Sequence, residues 1–261
     1  MVSVIIPMYN ASVTIERALE SVVFQDYNGL KEIIVINDGS KDNSVEIVEQ
    51  FIEKNKNANI ILISQTNGGV SKARNSGLKI VKGNYIAFLD SDDAWITNKL
   101  SDQVKILENN SDIGLLGTGF EGFYFEKKLE GELINVKFKN LIFKNYFQPS
   151  TVLMRKNIID KIGLFDELQK YAEEGNFFFR VSRVFNCCFY NKKLIIYGDG
   201  KMGFGESGLS ANLKEMEKGE LKNLKFAYKN SWINSIIYVV AVSFSILKYI
   251  RRVIIVELRK I

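Results

Sequence analysis

The sequence predicts an α/β fold in which a mostly parallel central sheet is flanked by helices and followed by a C-terminal amphipathic helical extension. Two observations favour this class. Short β-rich runs alternate with amphipathic stretches over residues 1–110, as in βαβ units. A stretch that is both basic and apolar closes the chain over residues 216–261. The 261 residues suffice for one sizeable domain with such an attachment.

Four strands and three helices are predicted in the first half. The strands are apolar runs at 2–6, 32–36, 60–64 and 85–89. Apolar residues at helical spacing predict helices over 15–23 and 43–52, and a third over 70–80. Asn43 and Glu46 have the spacing of a capping box at the start of the second helix.

The domain boundaries are expected near residue 215. We predict one domain over 1–215, made of the halves 1–110 and 111–215, and a helical tail over 216–261. In the second half the pattern is less regular, with a strand-like run at 113–125 and a short helix at 158–162. The N-terminus has no basic region or cleavage-like site and is expected to be a strand rather than a signal peptide.

Composition excludes several kinds of chemistry. The chain has no histidine, so a Ser-His-Asp triad, His-ligated zinc and a histidine base are excluded. Its only cysteines, Cys187 and Cys188, are adjacent, which disfavours a disulfide framework and a spaced metal motif. Acid–base chemistry must therefore fall mainly to carboxylates, lysine, tyrosine or cysteine.

Polar residues follow each of the four predicted strands. They stand at 9–10, 37–40, 65–69 and 90–93. In open α/β sheets, ligands bind beyond the carboxyl ends of the strands. The joint placement of these clusters predicts a binding site along that edge.

The last of these clusters, Asp90-Ser91-Asp92-Asp93, is the acidic loop. Three carboxylates within four residues repel one another, so they need a cation, several hydrogen-bond donors or open water. Mg²⁺ or Mn²⁺ satisfies them best, because these hard ions take one or two carboxylates and leave positions for substrate phosphates. The acidic loop therefore predicts a metal-diphosphate site.

Five motifs in fixed order resemble the signature of the family 2 glycosyltransferases over about residues 2–183. They are VSVIIPMYN at 2–10, NDGS at 37–40, NGGVSKARNSG at 67–77, DSDD at 90–93 and the pair Glu173-Glu174. The resemblance implies the GT-A fold with a Rossmann-like sheet. It also implies inverting transfer from a nucleotide-diphospho-sugar, usually UDP-linked, with Mn²⁺ or Mg²⁺ as cofactor.

The same resemblance implies a donor-binding set. Pro7 and Tyr9 would shape the nucleotide pocket, with Asn10 beside them. Asp38 would bond the base, and Arg74 would lie near the nucleotide or its phosphates.

It also implies the catalytic and metal-binding residues. Asp92 would face the ribose or the metal, and Asp90 or Asp93 would complete the metal site. Glu174 stands where the family commonly has aspartate and would be the catalytic base, with Glu173 as the alternative.

The tail has three interpretations. Its apolar run, 236–247, would span about 18 Å as a helix, short of the roughly 30 Å of a hydrocarbon core. An interfacial helix on anionic lipid is favoured over packing on the domain or in a dimer, and over a membrane span. The residues that favour it are aromatic or basic: Trp232, Tyr238, Lys248, Tyr249, Arg251, Arg252, Arg259 and Lys260.

The resemblance as a whole implies transfer to a glycan or lipid-linked acceptor in bacterial surface polysaccharide biosynthesis, such as that of O-antigen. The protein would be cytoplasmic, peripheral on the inner face of the cell membrane and without a nucleic-acid partner. A processive synthase is disfavoured because no Gln-x-x-Arg-Trp motif occurs. A non-catalytic nucleotide-sugar-binding module is disfavoured because Asp92, Asp93 and Glu174 are retained.

Overall fold

The computed structural model describes residues 1–198, 204–205 and 208–259. The strands are β1 (Val2–Met8), β2 (Lys31–Asn37), β3 (Ile60–Ser64), β4 (Tyr85–Phe88), β5 (Ala94–Trp95), β6 (Ile113–Phe120), β7 (Leu133–Asn135), β8 (Leu153–Arg155) and β9 (Asn186–Ile196). The helices are α1 (Ile15–Val23), α2 (Ser44–Lys54), α3 (Val70–Leu78), α4 (Lys99–Asn109), α5 (Phe138–Leu141), α6 (Asn157–Ile162), α7 (Glu173–Val184), α8 (Leu213–Lys229) and α9 (Ser235–Leu258).

All strands belong to one sheet with the order β3-β2-β1-β4-β8-β6-β9-β5, and β7 pairs with β9. The four strands predicted in the first half, β1 to β4, are parallel neighbours. Beyond them the sheet is mixed, because β8 runs antiparallel to both β4 and β6. The predicted α/β class is confirmed, and the parallel half brings the ends of β1, β2 and β4 to one edge.

The sheet separates two hydrophobic cores. Successive side chains of a strand point to opposite faces, so Val4 and Ile6 of β1 join one core and Ile5 joins the other. Helices α1, α2 and α4 cover the first face, and α3, α7 and α8 contribute to the second. Both faces of β1, β2 and β4 are therefore buried, as expected of a parallel sheet in an α/β protein.

The predicted capping box at the start of α2 is wrong. Asn43 is the N-cap residue, but its side chain makes no capping hydrogen bond. Asp42 takes that role instead, because its Oδ1 accepts a hydrogen bond from the backbone N–H of Ser44 at 3.1 Å. Its Oδ2 accepts another from the backbone N–H of Ser12 at 3.0 Å, which ties the start of α2 to the loop after β1.

The tail folds as two helices that pack on each other. Helix α9 has 24 residues, twice the length of the apolar run recognised in the sequence. Its Lys248 and Arg252 form ion pairs with Glu220 of α8, at 3.1 and 2.7 Å. Phe244 contacts Phe143 edge to face, with ring centroids 5.8 Å apart. One side of α9 is therefore bound to the rest of the protein.

The basic residues predicted to face lipid do not all have the same surroundings in the structure. Two of them, Lys248 and Arg252, share the single carboxylate of Glu220, so these three side chains together keep one positive charge. Lys260, which was also predicted to favour lipid, lies outside the described residues. Within the described part of the chain, no helix combines the length and hydropathy that crossing a bilayer requires.

Candidate active site

The first polar cluster lies where β1 ends. Pro7 is a buried residue of β1 and pairs with Ile36 of β2. Tyr9 follows and is 52% exposed. Asn10 has a left-handed backbone (φ 49°), and its Oδ1 accepts a hydrogen bond from the N–H of Lys41 at 2.8 Å. These contacts hold the predicted nucleotide-binding residues beside the loop that follows β2.

Asp38 is a buried carboxylate that anchors the loop before α3. It accepts hydrogen bonds from Gln65 Nε2 at 2.7 Å and from the backbone N–H groups of Gly68 and Gly69 at 2.9 and 2.8 Å. Gly69 is the N-cap residue of α3 and has φ 88°, where glycine is favoured. A carboxylate at a helix N-terminus is stabilised by the amide N–H groups and by the helix dipole. Asp38 therefore fixes the start of α3, and its contact with a base stays a prediction.

Helix α3 carries Arg74 into the centre of the site. Its side chain is only 3% exposed, and its guanidinium donates to Asp90 Oδ1 and Glu173 Oε1, each at 2.8 Å. Burial lowers the pKa of Arg74, but the charges of Asp90 and Glu173 outweigh it and raise the pKa above its ordinary value. Arg74 thus joins the end of β4 to the start of α7. Its predicted contact with the nucleotide or phosphates stays a prediction.

Asp93 is buried at the far end of the acidic loop and is held from two sides. The hydroxyl of Ser150 donates to its Oδ2, and the N–H of Gly198 donates to its Oδ1 at 2.8 Å. Ser150 Oγ also accepts from the N–H of Asp90 at 3.0 Å. Burial, followed by the charge of Asp90, raises the pKa of Asp93 to about 7. One serine therefore fixes both ends of the acidic loop.

Asp92 is the third carboxylate of the acidic loop and is partly exposed. Among the described residues, no three His, Cys, Asp or Glu side chains lie close enough to hold a metal ion by themselves. Both oxygens of Asp93 are engaged within the protein, whereas Asp90 keeps a side chain that is 30% exposed. Mg²⁺ and Mn²⁺ commonly use one or two carboxylates together with substrate phosphates. The residues present fit such an ion in combination with a bound diphosphate.

Helix α7 begins with the two predicted catalytic glutamates. Glu173 is buried in the ion pair with Arg74, whereas Glu174 is partly exposed. Burial, reinforced by the charge of Glu173, raises the pKa of Glu174 to about 8. A carboxylate with a raised pKa accepts a proton more readily than an ordinary glutamate does. Of the two, Glu174 has the environment of a base.

Several residues of the site have no signal in the sequence. Ser150 lies in a 3₁₀ turn just before β8, and Gly198 follows β9. Tyr197, beside Gly198, stacks on Phe120 with ring centroids 4.8 Å apart. Burial and then the charge of Asp93 raise the pKa of Tyr197, so its hydroxyl stays protonated. These contacts join residues more than 50 positions apart, which no local spacing reveals.

Comparison with known proteins adds a family to this geometry. The family model described as "Glycosyl transferase family 2" matches residues 3–163. An uncharacterized glycosyltransferase of Rickettsia typhi is 33% identical over 207 residues, which are 75% of this chain and 63% of that protein. The Escherichia coli protein named UDP-Glc:alpha-D-GlcNAc-diphosphoundecaprenol beta-1,3-glucosyltransferase WfaP is 41% identical over 128 residues, 49% of this chain and 47% of its own length. Each match covers less than two thirds of the relative.

Solved structures with the same fold come from bacteria and archaea. Staphylococcus aureus TarS 1–349 in complex with UDP-GlcNAc superposes with a TM-score of 0.69 at 23% identity, over 85% of this chain and 66% of that one. Mannosyltransferase PcManGT of Pyrobaculum calidifontis, in complex with GDP-Man and Mn²⁺, gives 0.68 at 17% identity, over 94% and 73%. At these identities the likeness establishes the GT-A fold.

Replacement of Arg74 tests whether its ion pairs hold the site together. We expect Arg74→Met to lower the free energy of unfolding by about 3–5 kcal/mol, because two carboxylates then stay in a largely buried site without their cation. Urea denaturation followed by circular dichroism measures the change. The control is Lys128→Met, which breaks the exposed Lys128–Glu132 pair and should cost no more than about 1 kcal/mol. Equal small losses in both variants would contradict a bracing role.

Proposed function

The chain belongs to glycosyl transferase family 2, and we propose that it moves one sugar from a nucleotide-diphospho-sugar to a glycan or lipid-linked acceptor with inversion at the anomeric carbon. The observation that carries the proposal is the link made by Arg74. It joins the acidic loop, suited to the leaving diphosphate, to the first turn of α7, which supplies a carboxylate with a raised pKa. A single displacement needs one group that stabilises the leaving diphosphate and one base that takes the proton of the acceptor.

The donor would lie along the edge formed by the ends of β1, β2 and β4. In this proposal Pro7, Tyr9 and Asn10 border the nucleotide, and Asp38 lies close to its nucleobase. A UDP-sugar is the favoured donor, in line with the UDP-GlcNAc that TarS binds and the UDP-Glc in the name of WfaP. The GDP-Man bound to PcManGT makes a GDP-sugar the alternative.

Asp92, with Asp90 beside it, would hold Mn²⁺ or Mg²⁺ together with the donor phosphates. When bound, the ion supplies Lewis-acid stabilisation of the negative charge on the leaving diphosphate. Asp93 would keep the acidic loop in place, since Ser150 and Gly198 hold its carboxylate and Ser150 also bonds the N–H of Asp90.

Glu174 would act on the acceptor. It takes the proton of the acceptor hydroxyl as that oxygen forms the new bond to the anomeric carbon and the bond to the diphosphate breaks. Glu173 stays in its ion pair with Arg74, which keeps the first turn of α7 in place.

The activity is tested by incubating the purified protein with UDP-, GDP- and dTDP-sugars and Mn²⁺, and by following nucleoside diphosphate release with and without glycan acceptors. The proposal expects acceptor-stimulated release with at least one donor. It fails if no nucleotide-sugar is bound, hydrolysed or transferred.

The role of Glu174 predicts a separation of binding from chemistry. Glu174→Gln should lower kcat on the order of 10²- to 10⁴-fold, because the amide cannot take the acceptor proton. Its Kd for UDP, measured by calorimetry, should stay close to that of the wild type. Glu108→Gln, at an exposed position of α4, serves as the matched control. Turnover like that of the wild type in Glu174→Gln would place the base elsewhere.

The pH dependence of kcat gives a second prediction for the same residue. Glu174 is active without its proton, so kcat should rise with pH, with a midpoint above the ordinary value of 4.5 and toward 8. Glu173→Gln removes the like charge that raises this pKa, so its midpoint should move to lower pH. Initial rates between pH 5 and 9 measure both midpoints. A flat wild-type profile, or a midpoint that rises in Glu173→Gln, would contradict the assignment.

Replacement of Asp92 should separate metal-dependent from metal-independent binding. We expect Asp92→Asn to weaken UDP binding in Mn²⁺ on the order of tenfold or more, because a charged ligand is lost. Without metal, its UDP affinity should match that of the wild type. Asp160→Asn, at an exposed position of α6, is the control. An unchanged Mn²⁺ dependence in Asp92→Asn would remove this residue from the metal shell.

We further propose that α9 lies on an anionic membrane surface, where a lipid-linked acceptor would be found. Support comes from its outward face, on which Ile236 is 73% and Leu247 64% exposed. Other apolar side chains continue that face along the helix: Val239, Ile250, Ile254 and Leu258. The chain from Lys214 onward carries ten basic and four acidic residues, which suits anionic lipid. The protein would then be a cytoplasmic, peripheral enzyme.

Leu247→Asp tests the lipid-facing side of α9. On vesicles of phosphatidylglycerol and phosphatidylethanolamine, its partition coefficient should fall about tenfold or more, since a leucine side chain contributes about 1.5–3 kcal/mol on burial. Co-sedimentation measures the partition. Leu168→Asp, at a leucine that is 93% exposed outside the tail, should bind as the wild type does. If the wild-type protein does not bind vesicles but forms a dimer that Leu247→Asp disrupts, a second copy of the protein, and not lipid, covers this face of α9.

A further inference from the structure

The turn that precedes the two glutamates has an unusual backbone. Ala172 is the N-cap residue of α7 and has φ 52° and ψ 32°, which lies in the left-handed region. Residues other than glycine, asparagine and aspartate rarely adopt this conformation, because Cβ approaches the following carbonyl oxygen. Ala172 is buried, and Glu173 and Glu174 follow it directly. The direction in which α7 starts therefore depends on whatever holds this turn.

Two buried amide side chains hold the turn. Gln169 Nε2 donates to the carbonyl oxygens of Tyr171 and Ala172, each at 3.1 Å. Asn223 Nδ2, from α8, donates to the same oxygen of Ala172 at 2.8 Å. The two amides are also bonded to each other, with Gln169 Nε2 2.8 Å from Asn223 Oδ1. Asn223 thus bonds both the turn and the other side chain that supports it.

A glycine lets α8 come close enough for this contact. A Cβ atom on Gly219 would lie 2.2 Å from the carbonyl oxygen of Tyr171, a distance that no side chain could occupy. Gly219 lies one helical turn before Asn223, so both face the same turn from α8. A Cβ on Gly175 of α7 would lie 2.8 Å from Asn223 Nδ2. Small residues on both helices therefore keep Asn223 in contact with the turn.

The supporting helix lies outside the segment matched by the family model, which ends at residue 163. The acidic loop lies within that segment, whereas α8 begins 50 residues after the segment ends. The first turn of α7 is thus held by Arg74 on one side and by α8 on the other.

We propose that Asn223 is a positioning residue for Glu174: from α8 it holds the left-handed turn at Ala172 that sets the start of α7. The inference rests on the proposed role of Glu174 as base. Asn223 does not touch the reacting atoms and acts through the backbone of the turn.

Asn223→Ala tests the inference with two readouts. Hydrogen exchange of the amide groups in the peptide spanning 170–178 should become at least about tenfold faster. The carbonyl of Ala172 loses its donor from α8, so the turn and the start of α7 open more often. In turnover with the donor found for the wild type, kcat per UDP-binding site should fall about tenfold or more, with Kd for UDP changed less than about threefold. Asn230→Ala, at the exposed end of α8, should match the wild type in both readouts.

A second substitution distinguishes positioning from general stability. Glycine adopts the left-handed conformation without the cost that alanine carries, so Ala172→Gly combined with Asn223→Ala should recover part of the lost kcat. If Asn223→Ala does not fold, Asn223→Ser takes its place, since its hydroxyl is too short to bridge both partners. The inference is overturned if exchange of 170–178 is unchanged, or if kcat falls and Ala172→Gly recovers none of it.

The two proposals fail in different ways. A wild-type protein that transfers no sugar would refute the proposed function, and the exchange of 170–178 would then decide alone whether Asn223 holds the turn. With an active wild type, an unchanged kcat or an unchanged exchange of 170–178 in Asn223→Ala would refute only the positioning role.

Discussion

The site depends on one buried cation placed between carboxylates from distant parts of the chain. Arg74 lies on α3, Asp90 follows β4, and Glu173 begins α7. Bringing any of these charges out of water alone would be costly, so each needs the others in place. The ion pairs therefore do more than add stability. They fix the position of the acidic loop relative to the first turn of α7, which carries the proposed base Glu174.

Around this cation the protein fixes each partner a second time, with uncharged groups. Ser150 and Gly198 hold Asp93 and, through it, the acidic loop. Backbone N–H groups at the start of α3 bind Asp38, which places α3 itself. Asn223 supports the turn before α7. Duplicate support of this kind keeps reacting groups in position when a substrate enters, which limits the reorganisation that the reaction must drive.

Much of this arrangement could be predicted from the sequence, because it is encoded locally. The four parallel strands show as short apolar runs, and the polar clusters after them predict the edge where a ligand would bind. The roles proposed for Asp92 and Glu174 are predicted by family motifs that occur in a fixed order along the chain. The sequence pattern gave the wrong capping residue for α2, because two adjacent polar residues can both cap this helix. Asp42, and not Asn43, accepts the hydrogen bond at its start. Local patterns also gave no sign that Lys248 and Arg252 of α9 pair with Glu220 of α8, because that partner lies 28 and 32 positions away along the chain. Contacts such as that of Ser150 depend on the complete fold and have no local signature.

A crystal structure of the protein with UDP and Mn²⁺ tests the central claim most directly. The account predicts that Arg74 keeps its bonds to Asp90 and Glu173 in the complex, while Asp92 faces the metal and diphosphate and Glu174 stays on the opposite side of the sugar position. A complex in which Arg74 leaves both carboxylates to bind the diphosphate would contradict it.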